Sequence, residues 1–250
     1  MIIVSNWKAY VDDFAKAKKL FDVSKRLALS TNTTIVLAPS APFLGAIALR
    51  NKSKVSFAAQ DVSATTGGAQ TGEVTAQSYV AAGTTYAIIG HSERRASGDT
   101  DTVVAEKIKH AIAHGLIPIL CAGEHERDSN GQYLSFVREE ITSALQQLEP
   151  KERVGIIVAY EPIWAIGKTS EAAIKPNDLA EMTLYIRKVL AELLPGKSPV
   201  HTLVLYGGSV EPGNVRDIAA STGIDGFLIG HESVDARAFS EIVKQLAQHA

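Results

Sequence analysis

Short apolar segments alternate with longer stretches of helical pattern along the whole chain. The apolar segments predict strands at 2–6, 34–38, 55–60, 86–90, 116–121, 155–160, 202–206 and 225–229. Their apolar residues run continuously rather than alternating with polar ones, as in Ile35-Val36-Leu37. Continuous runs are typical of parallel strands that are covered on both faces. The pattern therefore predicts an α/β protein with a parallel sheet.

The stretches between the strands carry apolar residues at helical spacing. Val104, Ile108, Ala111 and Ile112 fall at positions i, i+4, i+7 and i+8 of one such stretch. That spacing places them on one face of an amphipathic helix, which we expect to be buried. Equivalent stripes begin at Val137, Leu179 and Phe239.

Capping residues indicate where two of these helices begin or end. Asp99 or Thr100 precedes the fourth predicted helix, and Asn177 precedes the sixth. Both positions suit an N-cap, whose side chain accepts hydrogen bonds from the first turn. Gly115 follows the fourth helix where a C-terminal glycine belongs.

The number of strand–helix units decides the architecture. Eight units in 250 residues give about 31 residues each, the size of a βα unit. Strict alternation implies parallel strands with right-handed crossovers. An open doubly wound sheet is the main alternative, but its dinucleotide signature is absent because the first strand ends in Asn6-Trp7-Lys8. We therefore predict one domain over 1–250, folded as a closed (β/α)₈ barrel, with the long polar connection 61–74 protruding.

Composition and charge exclude several classes of protein. Cys121 is the only cysteine, which excludes an intrachain disulfide and a paired-cysteine zinc site. The 25 basic and 27 acidic residues leave a net charge of −2, which argues against nucleic-acid or membrane-surface partners. No apolar run approaches the ~18 residues of a membrane-spanning helix. The N-terminus reads as a strand rather than a signal peptide, so we expect a cytoplasmic protein.

Reactive side chains follow the predicted strands at their carboxyl ends. In a (β/α)₈ barrel these loops carry the chemistry, because they meet at one rim. They contain Asn6 and Lys8, His91 to Arg95, Cys121 and Glu124, Glu161 to Lys168, Gly207 to Ser209, and Gly230 and His231.

Each of these residues also has an ordinary structural interpretation. Lys8 alone would be a surface lysine, His91 could simply cap the next helix, and Cys121 suits a small buried apolar side chain. Glu161 is harder to explain in that way, since a carboxylate at the edge of a core costs several kcal/mol unless it is paired. A carboxylate in such a setting is suited to act as a general base. Gly207-Gly208-Ser209 is either a turn or a phosphate cradle built from backbone N–H groups.

These groups together indicate proton transfer on a small anionic substrate, most simply a phosphorylated one. A carboxylate base, a histidine, a lysine and an anion cradle need no cofactor. The sequence shows neither a nucleophile–histidine–acid arrangement nor metal-ligand spacing, so we expect no metal. Trp164 lies between Pro162 and Gly167 in an apolar segment that suits a loop closing over a ligand.

Six motifs, in order along the chain, resemble those of the triosephosphate isomerase family. They are Asn6-Trp7-Lys8, Gly68-Ala69-Gln70-Thr71-Gly72-Glu73, the run from Tyr86 to Arg95, Cys121-Ala122-Gly123-Glu124, the run from Ala159 to Gly167, and Tyr206-Gly207-Gly208-Ser209-Val210. The likeness covers essentially the full length of the chain and implies interconversion of dihydroxyacetone phosphate and D-glyceraldehyde 3-phosphate in glycolysis and gluconeogenesis.

The resemblance also implies a role for each matching residue. Glu161 matches the base that moves a proton between C1 and C2 of the triose. His91 matches the neutral imidazole that shuttles protons between the two oxygens. Lys8, with Asn6 beside it, matches the cation that binds substrate and stabilises the enediolate. Glu93 matches the acid that supports the lysine.

Further segments match the family's lid, phosphate site and dimer contact. Gly167, Ser209 and Gly230 match backbone donors to the phosphate, with His231 next to them. The loop 67–73 matches the segment that inserts beside the partner's active site, which implies a homodimer. The lid comprises Pro162, Ile163, Trp164, Ala165, Ile166, Gly167 and Lys168, and the dimer loop includes Thr71, Gly72 and Glu73.

The sequence departs from the family pattern at four places. Gly230-His231-Glu232 replaces the usual Gly-Gly-Ala, and Lys168-Thr169-Ser170 follows Gly167 directly. Gln70 stands where an aromatic residue is common, and Asp61 where an asparagine is. Two alternatives stay open at this point: an isomerase for a tetrose phosphate, suggested by the altered loop at 230–232, and a non-catalytic paralogue that binds sugar phosphates.

Overall fold

The strands of the barrel lie where the apolar runs predict them. A computed structural model describes residues 1–167, 174–194 and 202–248. The strands in these residues are β1 Ile2–Asn6, β2 Thr34–Ala38, β3 Ser56–Ala59, β4 Tyr86–Ile89, β5 Ile117–Ala122, β6 Ile157–Tyr160, β7 Val204–Tyr206 and β8 Gly226–Ile229. Each strand pairs in parallel with the next, and β8 pairs with β1 to close the barrel. The predicted (β/α)₈ architecture is therefore confirmed.

Helices connect the strands on the outside of the barrel. In the described residues they are α1 Phe14–Ser30, α2 Ala41–Ala48, α3 Ala76–Ala81, α4 Ser92–Ala96, α5 Asp101–Ala113, α6 Gln132–Leu145, α7 Pro176–Leu193, α8 Val215–Ser221 and α9 Ala236–Ala247. Short 3₁₀ turns occupy Pro150–Arg153, Ile163–Ala165 and His231–Val234. None of the helices in this described part is long and apolar enough to cross a membrane.

The core has two layers, one inside the barrel and one between the strands and the helices. Val4, Ile88 and Cys121 belong to the inner layer, so Cys121 is a buried apolar side chain as predicted. In the outer layer, the predicted stripe residues Val104 and Ile108 are fully buried. Burial of each such side chain stabilises the fold by about 1.5–3 kcal/mol relative to exposure.

Two of the three predicted caps are correct and one is wrong. The hydroxyl of Thr100 accepts a hydrogen bond from the N–H of Val103, so Thr100 caps α5. Gly115 follows that helix with φ of +84°, a conformation that glycine adopts without strain. Asn177 is not a cap, because α7 begins one residue earlier, at Pro176. Proline suits the first position of a helix, where its fixed φ is helical and its missing N–H is not needed.

The connection between β3 and α3 protrudes, as its length and polarity predict. Residues 66–73 are all exposed. At the base of this loop, the N–H of Ser63 donates a 3.0 Å hydrogen bond to the carbonyl of Val74. The loop therefore leaves and re-enters the body of the protein at one point.

Candidate active site

A cleft of about 420 Å³ lies at the carboxyl ends of the strands. Loops that follow β1, β4, β6, β7 and β8 contribute to it. The cleft is lined by Asn6, Lys8, Tyr10, His91, Glu161, Ile166, Gly167, Gly207, Gly208, Ser209, Val210, Glu211, Leu228, Ile229, Gly230, His231 and Glu232.

Glu161 is placed at the edge of this cleft by the end of β6. Only 2% of its surface is exposed. Its Oε2 accepts a hydrogen bond from the N–H of Ser92 at 3.2 Å, and its Oε1 lies 3.3 Å from Nε2 of His91. Oε1 has no hydrogen-bond partner in the described part of the chain. A buried carboxylate oxygen without a donor is ready to accept a proton from a bound molecule.

Two glycines make room for Glu161. A Cβ on Gly207 would lie 2.8 Å from Cγ of Glu161, closer than carbon atoms approach without displacement. A Cβ on Gly123 would overlap the carbonyl oxygen of Glu161. Glu161 is therefore enclosed by backbone on two sides, which restricts the orientations of its side chain.

His91 caps the short helix α4 with its ring. Its Nδ1 accepts a hydrogen bond from the N–H of Glu93 at 3.2 Å. An imidazole nitrogen that accepts a hydrogen bond carries no proton, so in the neutral ring the proton is on Nε2. The helix cap thus turns an N–H donor toward Glu161 and the cleft.

Lys8 reaches the cleft from a strained backbone. Its φ is +45°, and in the described residues no other residue except glycine has a positive φ. The backbone of Lys8 is held by Oδ1 of Asn6, which accepts its N–H at 3.0 Å, and by the amide of Gln60, which donates to its carbonyl at 2.9 Å. This arrangement directs the side chain of Lys8 toward Glu93 and along the wall of the cleft.

Glu93 does not line the cleft but forms an ion pair with Lys8. The Nζ of Lys8 and Oε1 of Glu93 are 2.7 Å apart. Partial burial acts to raise the pKa of Glu93, but the hydrogen bond and charge of Lys8 outweigh it, so that the pKa lies below its ordinary value. Glu93 thus stays ionised and keeps a negative charge beside the ammonium group.

Cys121 lies behind Glu161 inside the barrel. Burial raises the pKa of its thiol well above the ordinary value, and the charge of Glu161 acts in the same direction. The thiol therefore remains protonated and is a packing group rather than a nucleophile.

The segment after Glu161 is tied to the barrel by hydrogen bonds. The indole N–H of Trp164 and the hydroxyl of Tyr160 both donate to Oε1 of Glu124, at 2.9 and 2.8 Å. The hydroxyl of Ser209 donates to the carbonyl of Ala165 at 2.9 Å. Of the predicted lid, Ile166 and Gly167 line the cleft, whereas Lys168 lies outside the described residues.

The segment that follows β8 forms another part of the cleft wall. Gly230 and His231 lead into a 3₁₀ turn, and the ring of His231 meets that of Tyr10 edge-on, with 5.4 Å between the centroids. Gly208 and Ser209, which follow the neighbouring strand β7, also line the cleft. Within the described ranges, no three His, Cys, Asp or Glu side chains are grouped to hold a metal ion.

Comparisons with known proteins place the chain in a family. A family model described as triosephosphate isomerase matches residues 1–246. The chain is 36% identical to a protein named triosephosphate isomerase from Thermus thermophilus, with 98% of each chain covered. It is 37% identical to one from Chloroflexus aurantiacus and 38% identical to one from Moorella thermoacetica, with 97% of each chain covered in both cases. The chain belongs to the triosephosphate isomerase family.

The motifs that suggest the triosephosphate isomerase family in the sequence come together in one place. Asn6, Lys8, His91, Glu161, Gly167, Ser209, Gly230 and His231 all line the cleft. Glu93 does not line the cleft but forms an ion pair with Lys8, which does. The predicted dimer loop, with Thr71, Gly72 and Glu73, lies on the exposed surface instead.

Several residues in or behind the cleft belong to none of the motifs that the sequence singles out. Tyr10 and Glu211 line the cleft, and Glu140 lies buried behind Glu161. Glu140 carried a signal, because it falls three residues after Val137 and four before Ala144, on the apolar face of α6. A charged residue on a buried helical face requires a partner inside the protein.

Proposed function

We propose that the chain, as one domain over residues 1–250, interconverts dihydroxyacetone phosphate and D-glyceraldehyde 3-phosphate by proton transfer through an enediolate, without a cofactor. The observation that carries this proposal is the 3.3 Å separation between Oε1 of Glu161 and Nε2 of His91, in the cleft that Lys8 also lines. A base, a donor and a cation then surround one small substrate.

Glu161 is the base in this proposal. It removes a proton from C1 of dihydroxyacetone phosphate and returns it to C2, so that the carboxylate ends the cycle unchanged. Its Oε1, which accepts no hydrogen bond in the described chain, and its buried setting support this role. Positioned general bases typically contribute about 10²–10⁴-fold to the rate.

His91 transfers protons to and from the oxygens on C1 and C2 of the substrate. Its Nε2–H donates to the carbonyl oxygen as negative charge develops there, and then moves a proton between the oxygens on C1 and C2. The hydrogen bond from the N–H of Glu93 to Nδ1 supports a neutral ring that donates through Nε2. A neutral donor of this kind stabilises the developing charge where it forms.

Lys8 binds the substrate and stabilises the enediolate through its ammonium group. Glu93 holds that group at 2.7 Å, and Asn6 fixes the backbone from which it projects. Preorganised charges of this kind are effective because they need not reorient during the reaction.

Backbone N–H groups of Gly167, Ser209 and Gly230 hold the phosphate, with His231 beside them. All four residues line the cleft and follow β6, β7 or β8, which are neighbours in the barrel. Closure of the lid, which extends from Pro162 to Lys168, excludes water and keeps the phosphate from being eliminated from the intermediate.

A coupled assay tests the reaction directly. The purified chain should convert dihydroxyacetone phosphate and D-glyceraldehyde 3-phosphate in both directions, with lower kcat/KM for tetrose phosphates. Glu161→Gln should lower kcat by at least about 10²-fold, whereas Glu126→Gln, at an exposed position in the neighbouring loop, should leave it unchanged. A higher kcat/KM for a tetrose phosphate would overturn the choice of substrate, and phosphate binding without turnover would overturn the enzymatic proposal.

We also propose that the chain is a cytoplasmic homodimer with no nucleic-acid or membrane partner. The exposed loop 67–73, which includes Thr71, Gly72 and Glu73, is the segment through which two copies would associate. The loop follows the carboxyl end of β3, on the same rim of the barrel as the cleft, which supports a contact that reaches the neighbour's site. Light scattering that showed a monomer at micromolar concentration would contradict the dimer.

A further inference from the structure

A second buried carboxylate, that of Glu140, lies behind Glu161. Glu140 is on the inward face of α6, and only 5% of its surface is exposed. The two glutamates line one narrow void that leaves no room for a water molecule. Because an ionised carboxylate in such a place is costly unless it is paired, the contacts of Glu140 define its role.

One contact of Glu140 supports the backbone of Glu161. Its Oε2 accepts a hydrogen bond from the N–H of Gly123 at 2.8 Å. Gly123 packs so closely on Glu161 that a Cβ would overlap the carbonyl oxygen of Glu161. The N–H of Glu161 in turn donates to the carbonyl of Ala122 at 2.9 Å. Glu140 therefore fixes the peptide against which the backbone of Glu161 rests.

The other contact of Glu140 leads to the segment before His91. Its Oε1 lies 3.2 Å from Nε of Arg95, and that nitrogen donates to the carbonyl of Gly90 at 3.0 Å. Nη1 of Arg95 is 2.6 Å from Oδ1 of Asp101. Nη2 of Arg95 is buried without a hydrogen-bond partner in the described residues. Arg95 thus connects Glu140 to the peptide that precedes His91.

Charged or titratable groups face Glu140 from four neighbouring segments. They are Arg95 on α4, Asp101 on α5, Cys121 on β5 and Glu161 after β6. Burial raises the pKa of Glu140 to about 7, although Arg95 and the N–H of Gly123 act to lower it. The charges of Asp101 and Glu161 act in the same direction as burial. The carboxyl group therefore changes charge near neutral pH.

We propose that Glu140 is a positioning residue for the isomerisation. It orients Glu161 through Gly123 and His91 through Arg95. When Glu140 is ionised, its negative charge also makes Glu161 a stronger base. The inference rests on the proposed function. A negative charge close to Glu161 favours transfer of a proton from the substrate to that carboxylate. Protonation of Glu140 removes this charge and replaces one acceptor oxygen by a donor, which weakens its contact with Gly123 or Arg95.

The pH dependence of kcat and kcat/KM tests the proposal. The variants are Glu140→Gln, which removes the charge, and Glu140→Asp, which keeps it. The matched control is Glu139→Gln, at the exposed neighbouring position on α6. We expect the wild type and the control to show an ionisation near pH 7, in addition to that of the substrate phosphate at about pH 6, and Glu140→Asp to retain an ionisation of its own. Glu140→Gln should lack it and lose up to about 100-fold in kcat, the scale caused by a misplaced catalytic group.

A second variant keeps the test valid if Glu140→Gln does not fold. Asp101 is 39% exposed in its side chain and its charge acts to raise the pKa of Glu140. Asp101→Asn should therefore shift the ionisation to lower pH while the chain remains folded, as circular dichroism would verify. An unmoved ionisation in Asp101→Asn, or one retained by a folded Glu140→Gln, would overturn the proposal. A wild type without turnover would instead overturn the proposed function.

Discussion

The Nζ of Lys8 lies 2.7 Å from Oε1 of Glu93, although 85 residues separate the two in the sequence. The lysine reaches this position from a backbone with φ of +45°. For a residue with a Cβ this region is costly, by about 1–3 kcal/mol. Such strain persists only where the surroundings enforce it, and here Asn6 and Gln60 hold the backbone on both sides. The strained backbone of Lys8 therefore lowers local stability but places its ammonium group in the site.

Substitution of Lys8 should separate the stability of the fold from activity. Lys8→Ala and Lys8→Gly both remove the ammonium group, so both should lose activity in the coupled assay. Glycine adopts a positive φ without strain, so Lys8→Gly should be more stable to urea than Lys8→Ala by about 1 kcal/mol. Equal stability of the two variants would show that the backbone at this position is not strained.

Gly207 should be required for the orientation of Glu161. In Gly207→Ala the new Cβ would lie 2.8 Å from Cγ of Glu161, so the glutamate must rotate. A displacement of about 1 Å can cost 10²-fold in rate, so we expect a loss of that order in kcat with little change in the melting temperature. Gly213→Ala is the matched control, since its Cβ would have no atom within 4 Å. Similar kcat values for the two variants would contradict the tight enclosure of Glu161.

Continuous apolar runs locate the strands well because parallel strands are buried on both faces. The run Ile35-Val36-Leu37, for example, lies within β2, and all three side chains are fully buried. The sequence pattern places the start of α7 wrongly, because Asn177 and Pro176 both suit a helix N-terminus and only the tertiary structure decides between them. The short helix α4 has five residues, too few to carry a periodic apolar stripe.

The residues that form the site could be predicted from their positions at the strand ends, but the contacts between them could not. The position of Glu161 directly after a buried strand marks it as unusual in the sequence. Its pairing with Gly123, Gly207 and Ser92 depends on how neighbouring strands are staggered, which no local pattern encodes. The contact between Tyr10 and His231, which both line the cleft, depends on the same stagger.

Lys107 should be essential for stability, because it neutralises two carboxylates. It is 4% exposed, and its Nζ lies 2.7 Å from Asp61 and 2.5 Å from Asp99. Removal of one partner from a buried ion pair costs about 3–5 kcal/mol, so Lys107→Met should lose stability on that scale in urea unfolding at pH 7. Lys109→Met, at an exposed position on the same helix, should lose little.

The loss caused by Lys107→Met should shrink on acidification. Burial, opposed by Lys107, already holds the pKa of Asp61 above its ordinary value in the folded wild type. A carboxyl group with a raised folded pKa opposes folding once it is ionised, and this effect disappears as pH falls below its unfolded pKa of about 4. Without Lys107 the ionised carboxylate of Asp61 opposes folding more strongly, so the variant regains more stability than the wild type when that carboxylate is protonated. A stability gap between Lys107→Met and the wild type that stayed constant from pH 7 to pH 4 would contradict this account.

Removal of the exposed loop 67–73 should abolish association and reduce activity together. The hydrogen bond between Ser63 and Val74 brings the ends of the loop together, so a two-residue link in place of 67–73 leaves the barrel intact. If the loop completes the neighbour's site, the shortened chain should be a monomer by light scattering and have a lower kcat, with circular dichroism unchanged. Gln70→Ala, an exposed substitution within the loop, is the control and should retain the dimer. A shortened chain that remained dimeric would place the interface elsewhere, and a fully active monomer would show that each barrel completes its own site.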